Sequence, residues 1–232
     1  MGGYFVLPAT GEPRAAVLVA HELFGVSPDI RGIADRLAEL GYAALAPEFY
    51  HRSAPRGQWF ERDDAGRTRG FEQLSALTRE GVVEDVRAAI AFARSACSNP
   101  RVGMLGFSMG GHIAYLAATQ LPLTATAVLY GGWLASTDIA LSQPNPTLDL
   151  TRGIAEHGGQ VLYLVGGKDH LITAEQVELI RSALQAADAP SKVVVYPEAA
   201  HAFFWPDTPS FHAEARTAAW QELTGFFERT LS

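Results

Sequence analysis

The sequence has very little cysteine: Cys97 is the single one in 232 residues. One thiol can form no internal disulfide, and it cannot supply a multi-cysteine metal site or an iron–sulfur site. The seven histidines show no His-x-x-x-His spacing of the kind that binds metals. We therefore expect a fold stabilised by packing alone, with no metal and no other cofactor.

Positive charge is also scarce, since 18 Lys and Arg residues stand against 25 Asp and Glu residues, for a formal net charge of −7. The arginines are scattered along the chain, so the sequence lacks the basic patch that binds nucleic acid. With 48% apolar and 19% charged residues, the composition excludes a disordered chain and a coiled coil. A folded globular protein without a nucleic-acid partner is expected.

Long apolar runs are missing as well. No segment approaches the roughly 18 apolar residues that a membrane span requires, and residues 1–7 carry neither the basic region nor the apolar run of a signal peptide. We therefore expect a cytoplasmic protein with no membrane partner, present as a monomer or weak homodimer.

What the chain does contain is an alternation of short apolar runs and longer segments of helical period. This pattern predicts an α/β fold, a doubly wound and mostly parallel sheet of about seven strands flanked by helices. No linker or internal repeat interrupts it, so residues 1–232 are predicted to form a single domain. The predicted strands cover residues 15–20, 42–46, 102–106, 125–130, 161–165 and 192–196, with an edge strand at residues 3–7.

Helix boundaries are encoded locally in several places. Ser27 precedes Pro28 as a predicted N-cap, and Gly41 is suited to the left-handed conformation that ends a helix. Thr173 and Gln176 have the spacing of a capping box. Further helices are predicted at residues 82–96, 112–119, 173–187 and 211–231.

Two segments, residues 52–73 and 136–159, do not follow the alternation. Both are too long for simple connections, and long loops of this kind either line a functional site or are disordered. We refer to them below as the first and second long connections.

The segment Gly106-Phe107-Ser108-Met109-Gly110 lies between a predicted strand and an apolar predicted helix. Gly-x-Ser-x-Gly in this context is typical of a nucleophile elbow, in which a strained turn raises the serine hydroxyl above the sheet. The turn also directs the amide of Met109 and the positive end of the helix to the place where an oxyanion would form. Ser108 is therefore the candidate nucleophile.

A serine nucleophile needs a base and a group that orients the base. Asp169 and His201 each follow a predicted strand, at the sheet edge where α/β proteins bind their ligands. The order Ser, Asp, His is that of the α/β-hydrolases. His170 is the rival base, although its position next to Asp169 makes it hard for it to bond that carboxylate and still face Ser108.

Beyond these three residues, the sequence resembles the dienelactone hydrolase family of α/β-hydrolases over roughly residues 15–227. The resemblance rests on Glu22-Leu23-Phe24-Gly25, on Pro47-Glu48-Phe49-Tyr50 and on Ala200-His201-Ala202-Phe203. Members of the family carry Glu-x-Phe-Gly, Pro-(Asp/Glu)-x-Tyr and a similar segment around the base at these places. The resemblance implies an α/β-hydrolase fold and hydrolysis of an ester or lactone without a cofactor.

The resemblance also implies roles for the loop after the first buried strand. Glu22 matches an accessory glutamate that contacts the resting nucleophile. Leu23 matches the residue whose amide completes the oxyanion hole with Met109, and Phe24 matches an aromatic wall of the substrate pocket. A carboxylate at Glu22 could also raise the pKa of His201 by its charge.

The sequence departs from the family in two ways. The best-known members use cysteine at the elbow, whereas this chain has Ser108, which implies conventional Ser-His-Asp chemistry. Those members also bind a substrate carboxylate with an arginine shortly after the catalytic histidine. Here that region reads Phe203-Phe204-Trp205, and Arg52, Arg56 and Arg69 are the candidate replacements.

The predicted pocket is therefore more aromatic than cationic, which favours substrates less polar than dienelactones. The candidate substrate contacts are Phe24, Tyr130, Trp133, Phe204 and Trp205. The function expected is hydrolysis of a small-molecule ester or lactone. The alternatives are a broad carboxylesterase or thioesterase, and a non-catalytic small-molecule binding protein on the same scaffold.

Overall fold

A computed structural model describes residues 1–232 and contains one seven-stranded sheet. Each predicted strand is present, with both ends within one residue of the predicted positions, and the α/β-hydrolase type of fold is confirmed. The strands are β1 (Gly3–Val6), β2 (Ala16–Ala20), β3 (Ala43–Pro47), β4 (Val102–Phe107), β5 (Ala125–Leu129), β6 (Gln160–Gly166) and β7 (Ser191–Tyr196).

The order of the strands across the sheet is β1-β3-β2-β4-β5-β6-β7. The strand β1 pairs antiparallel with β3, and every other neighbouring pair is parallel. The carboxyl ends of β2, β4, β6 and β7 therefore lie at one edge of the sheet. The loops that follow these four strands carry Glu22, Ser108, Asp169 and His201.

Seven α-helices cover the sheet: α1 (Pro28–Glu39), α2 (Asp64–Ala76), α3 (Arg79–Ser95), α4 (Met109–Gln120), α5 (Arg152–Glu156), α6 (Ala174–Ala186) and α7 (Ala213–Thr230). The predicted caps are present: the Ser27 hydroxyl accepts from the Ile30 amide, and Gly41 has a φ of +92°. Thr173 and Gln176 form the capping box at the start of α6.

Both long connections contain helices that were not predicted from the sequence. The first contains most of α2, whose N-cap is the Asp63 carboxylate, bonded to the Gly66 amide. The second contains short 3₁₀ turns at residues 140–142 and 147–150 and the helix α5. The helix α2 buries only Gly66, Gly70 and Leu74, so it lacks the apolar stripe by which a helix is recognised in a sequence.

The hydrophobic core is continuous through both faces of the sheet. The strands β2 to β5 are fully buried, and α4 is buried all round from Met109 to Thr119. A helix surrounded in this way is held rigidly, and its first residue follows directly on Ser108. No helix has both the length and the apolar character needed to cross a lipid bilayer.

Candidate active site

Ser108 lies at the junction of β4 and α4, with a φ of +51° and a ψ of −115°. A non-glycine residue in this region is strained and persists only where the surrounding structure enforces it. The flanking glycines show what enforces it. A Cβ at Gly106 would lie 1.9 Å from the Gly110 carbonyl oxygen, and one at Gly110 would lie 2.2 Å from that of Ala20. The turn can therefore close only with glycine at both positions.

Ser108 begins a chain of two side-chain hydrogen bonds. Its Oγ lies 3.0 Å from Nε2 of His201, and Nδ1 of His201 lies 2.8 Å from Oδ2 of Asp169. The other Asp169 oxygen accepts from the amides of Leu171 at 2.9 Å and Ile172 at 3.2 Å. An acceptor-only carboxylate places the imidazole proton on Nδ1, which leaves Nε2 free to accept from the serine hydroxyl.

The rival base does not take part in this chain of bonds. His170 is exposed, and its ring centroid lies 6.1 Å from that of His201. No hydrogen bond joins its side chain to Asp169 or Ser108. The structure thus brings His201, and not His170, to the serine.

The backbone amides of Leu23 and Met109 have no hydrogen-bond acceptor in the protein. Met109 opens α4, where the first amides have no intrahelical acceptor and the helix dipole is positive. The loop bearing Leu23 runs beside this helix start, since Gly110 approaches the carbonyl oxygens of Ala20 and His21 more closely than a Cβ would allow. Two free donors therefore lie close to the elbow.

Glu22 is buried and forms no hydrogen bond with the nucleophile. Its Oε1 accepts from Nε of Arg62 at 2.7 Å, and its Oε2 accepts from the Trp205 indole at 2.9 Å. The resemblance implies a resting contact between Glu22 and Ser108, but in this structure the serine hydroxyl forms its hydrogen bond with His201 instead. Burial raises the pKa of Glu22, while Arg62 acts in the opposite direction. Because both partners are obligate donors, the carboxylate is the form that fits.

Arg62 is the residue of this site that the sequence analysis missed. It lies in the first long connection, also pairs with Asp29, and has its guanidinium carbon 4.7 Å from the centroid of the Trp205 ring. No local pattern marks it, because its partner Glu22 lies 40 residues earlier in the chain. Of the arginines proposed from the sequence, Arg52 pairs with Asp85, and Arg56 and Arg69 are exposed.

The aromatic candidates divide into two groups. Phe24 and Trp133 are half-buried. Tyr130 and Trp205 are buried, but each lies beside a residue of the site: the Tyr130 ring is 5.1 Å from that of His201, and the Trp205 indole bonds Glu22. Phe204 does not lie at a pocket mouth as expected. It is 1% exposed and packs against Phe107 and Trp220, because its side chain points into the core.

Comparison with known proteins gives a consistent set of matches. The sequence model described as "Dienelactone hydrolase family" matches residues 1–231. A Methylorubrum extorquens protein named "Putative carboxymethylenebutenolidase" is 34% identical over 97% of this chain and 76% of its own length. An Escherichia coli K12 protein of the same name is 33% identical over 99% of this chain and 82% of its own. Among solved structures, a "Putative Dienelactone Hydrolase" from Klebsiella pneumoniae has a TM-score of 0.86 and 32% identity, and the match covers 98% of this chain and 92% of that one.

Proposed function

This chain belongs to the dienelactone hydrolase family, and from that premise we propose that it hydrolyses a carboxylic ester or lactone through an acyl-enzyme on Ser108. The observation that carries the proposal is the pair of hydrogen bonds from Ser108 through His201 to Asp169, at 3.0 and 2.8 Å. Together they supply a nucleophile, a base within reach of its proton, and a buried group that orients the base.

In the acylation step, the Ser108 oxygen attacks the carbonyl carbon while Nε2 of His201 takes the hydroxyl proton. Asp169 stabilises the imidazolium that forms, and the hydrogen bonds from the Leu171 and Ile172 amides hold its carboxylate in place. His201 then gives the proton to the leaving oxygen, and the C–O bond breaks. In a lactone the leaving alcohol stays attached to the acyl group, so the same step opens the ring.

Deacylation repeats the same chemistry with water as the nucleophile. His201 takes a proton from the water, and the carboxylic acid product leaves as the proton returns to Ser108. In both steps the amides of Leu23 and Met109 are the proposed donors to the tetrahedral oxyanion. The loss of one such donor typically lowers turnover by about 10²–10³.

Labelling with a fluorophosphonate tests this reaction directly, since the reagent phosphonylates an activated serine. Intact-mass measurement is expected to show one adduct on the native chain and none on Ser108→Ala. A native protein that neither takes the label nor hydrolyses any ester would contradict the proposed function and favour a binding protein on the same scaffold.

The charges around Glu22 bear on the choice of substrate. Arg62 is paired with two carboxylates, Glu22 and Asp29, so this corner of the site carries no uncompensated positive charge. We therefore propose that uncharged esters and lactones are better substrates than those with a free carboxylate. A panel of p-nitrophenyl esters, simple lactones and dienelactone, compared by kcat/KM, tests this, and a clear preference for dienelactone would contradict it.

A further inference from the structure

We propose that His21 and Tyr50 are positioning residues that orient the Leu23 amide toward the developing oxyanion, an inference that rests on the proposed function. Both side chains are buried outside the Ser-His-Asp chain of bonds. Each bonds one of two successive carbonyl groups in the loop between β2 and α1, residues 21–27.

The first of these bonds is the shorter of two that hold the peptide between Glu22 and Leu23, since the Gly25 amide also donates to the Glu22 oxygen, at 3.3 Å. Nδ1 of His21 lies 2.7 Å from the carbonyl oxygen of Glu22. In a trans peptide, the carbonyl of one residue and the N–H of the next point in opposite directions. When the Glu22 oxygen is held on the imidazole, the Leu23 N–H must therefore point away from the imidazole. This N–H has no acceptor in the protein.

The protonation state of His21 suits this task. The Phe49 amide donates to Nε2 at 3.3 Å, so the proton must be on Nδ1, facing the Glu22 carbonyl. Phe49 directly precedes Tyr50 and follows β3, so the bond ties the end of β3 to the end of β2. Burial lowers the pKa of His21 to about 4, which keeps the ring neutral and its two bonds unchanged at neutral pH.

Tyr50 holds the next carbonyl of the loop. Its hydroxyl donates to the Leu23 oxygen at 2.9 Å and lies 3.3 Å from Sδ of Met109. Its ring packs edge-on against His21, with the centroids 4.8 Å apart. Tyr50 thus contacts both residues whose amides are the proposed oxyanion donors, and His21 and Tyr50 together restrict the peptide planes on either side of Leu23.

Four variants separate positioning from simple stability: His21→Phe, His21→Asn, Tyr50→Phe and Ser108→Ala. Phenylalanine fills the space of His21 but donates nothing. Asparagine places an amide nitrogen close to the position of Nδ1 and keeps the bond to Glu22. Tyr50→Phe removes a single oxygen. The substrates are an ester and its thiono analogue, in which the weaker acceptor sulfur replaces the carbonyl oxygen, each assayed at a fixed interval below the melting temperature of the variant.

We expect His21→Phe to lower kcat/KM for the ester by about 10- to 100-fold, mostly in kcat, because a misdirected donor loses part of what its removal would cost. The ester-to-thionoester ratio should fall with it, since a poorly placed amide favours oxygen less. His21→Asn should recover most of both losses, and Tyr50→Phe should lower the ratio to a smaller extent.

A purely structural role predicts something different. It would lower the melting temperature and leave the ester-to-thionoester ratio at the native value. Either that result, or an equal loss of activity in His21→Asn and His21→Phe, would overturn this inference and leave the proposed function standing. If the native chain neither hydrolysed esters nor took the fluorophosphonate label, and so behaved as Ser108→Ala is expected to behave, the proposed function and this inference would both be overturned.

Discussion

At the scale of single residues, Glu22 shows how a buried charge is accommodated in this fold. Its side chain is 4% exposed, and both of its oxygens are bonded, one to Arg62 and one to Trp205. A buried carboxylate is tolerated when its partners satisfy it, and it becomes costly when one of them is removed. The cost of losing Arg62 is therefore expected to depend on whether Glu22 is still charged.

Replacement of Arg62 by methionine tests this dependence. We expect Arg62→Met to lower the free energy of unfolding by about 1–3 kcal/mol, because Glu22 then keeps a buried charge with a single neutral donor. The double variant Glu22→Gln/Arg62→Met should lose less than the two single variants added together. Urea unfolding at pH 7 measures all three, and strictly additive losses would show that the pair is not coupled.

The Ser-His-Asp residues could be identified from the sequence because each follows a strand and stands in a recognisable local pattern. The role of Arg62 could not, since the contact to Glu22 depends on how residues 52–73 lie across the sheet edge. Phe204 was misplaced for a related reason. The sequence shows that aromatic residues follow His201, but the conformation of the turn between His201 and Phe204 decides whether the Phe204 side chain faces the pocket or the core.

At the scale of elements, the first long connection is a support for the loop between β2 and α1. The Phe60 amide donates to the Phe24 oxygen at 2.9 Å, and Gly25 pairs with Trp59 as an isolated bridge. In α2, Gly70 lies so close to Leu23 that a Cβ there would be 2.5 Å from the Leu23 oxygen. These contacts hold the backbone that carries one proposed oxyanion donor.

Alanine at Gly70 is expected to disturb that backbone. The added Cβ must displace either α2 or Leu23, so Gly70→Ala should lower kcat/KM by about 10-fold and destabilise the fold. Gly32→Ala in α1 is the matched control, because a Cβ there meets nothing within 4 Å. It should stabilise the protein by about 0.5–1 kcal/mol with unchanged activity. Native kinetics in Gly70→Ala would show that α2 does not restrain the loop.

The helices also differ in how well they can be predicted from the sequence. The helices α1 and α6 have polar caps and apolar faces at helical spacing, and both were predicted with the correct caps. The helix α2 buries two glycines, and one of them, Gly70, lies in close contact with the backbone of Leu23, which is 47 residues earlier in the chain. Interactions of that range leave no periodic signal along the chain.

At the scale of the whole molecule, two fully buried histidines make stability dependent on pH. Burial lowers the pKa of both His21 and His112 to about 4, from 6.5. The unfolded chain therefore takes up more protons than the folded one between these values, and the free energy of unfolding should fall as the pH drops from about 6.5 toward 4.

Each histidine contributes a slope of at most about 1.4 kcal/mol per pH unit in that interval. The contribution of His112 can be isolated with His112→Asn, which keeps a donor for the Gly132 carbonyl, the partner of Nδ1 at 2.8 Å. Urea unfolding from pH 7 to pH 4.5 should show a shallower decline for this variant than for the native chain, by the slope of about one proton. Carboxyl groups titrate alike in both proteins and cancel in the difference. Parallel declines would show that His112 binds its proton equally well in the folded and the unfolded chain.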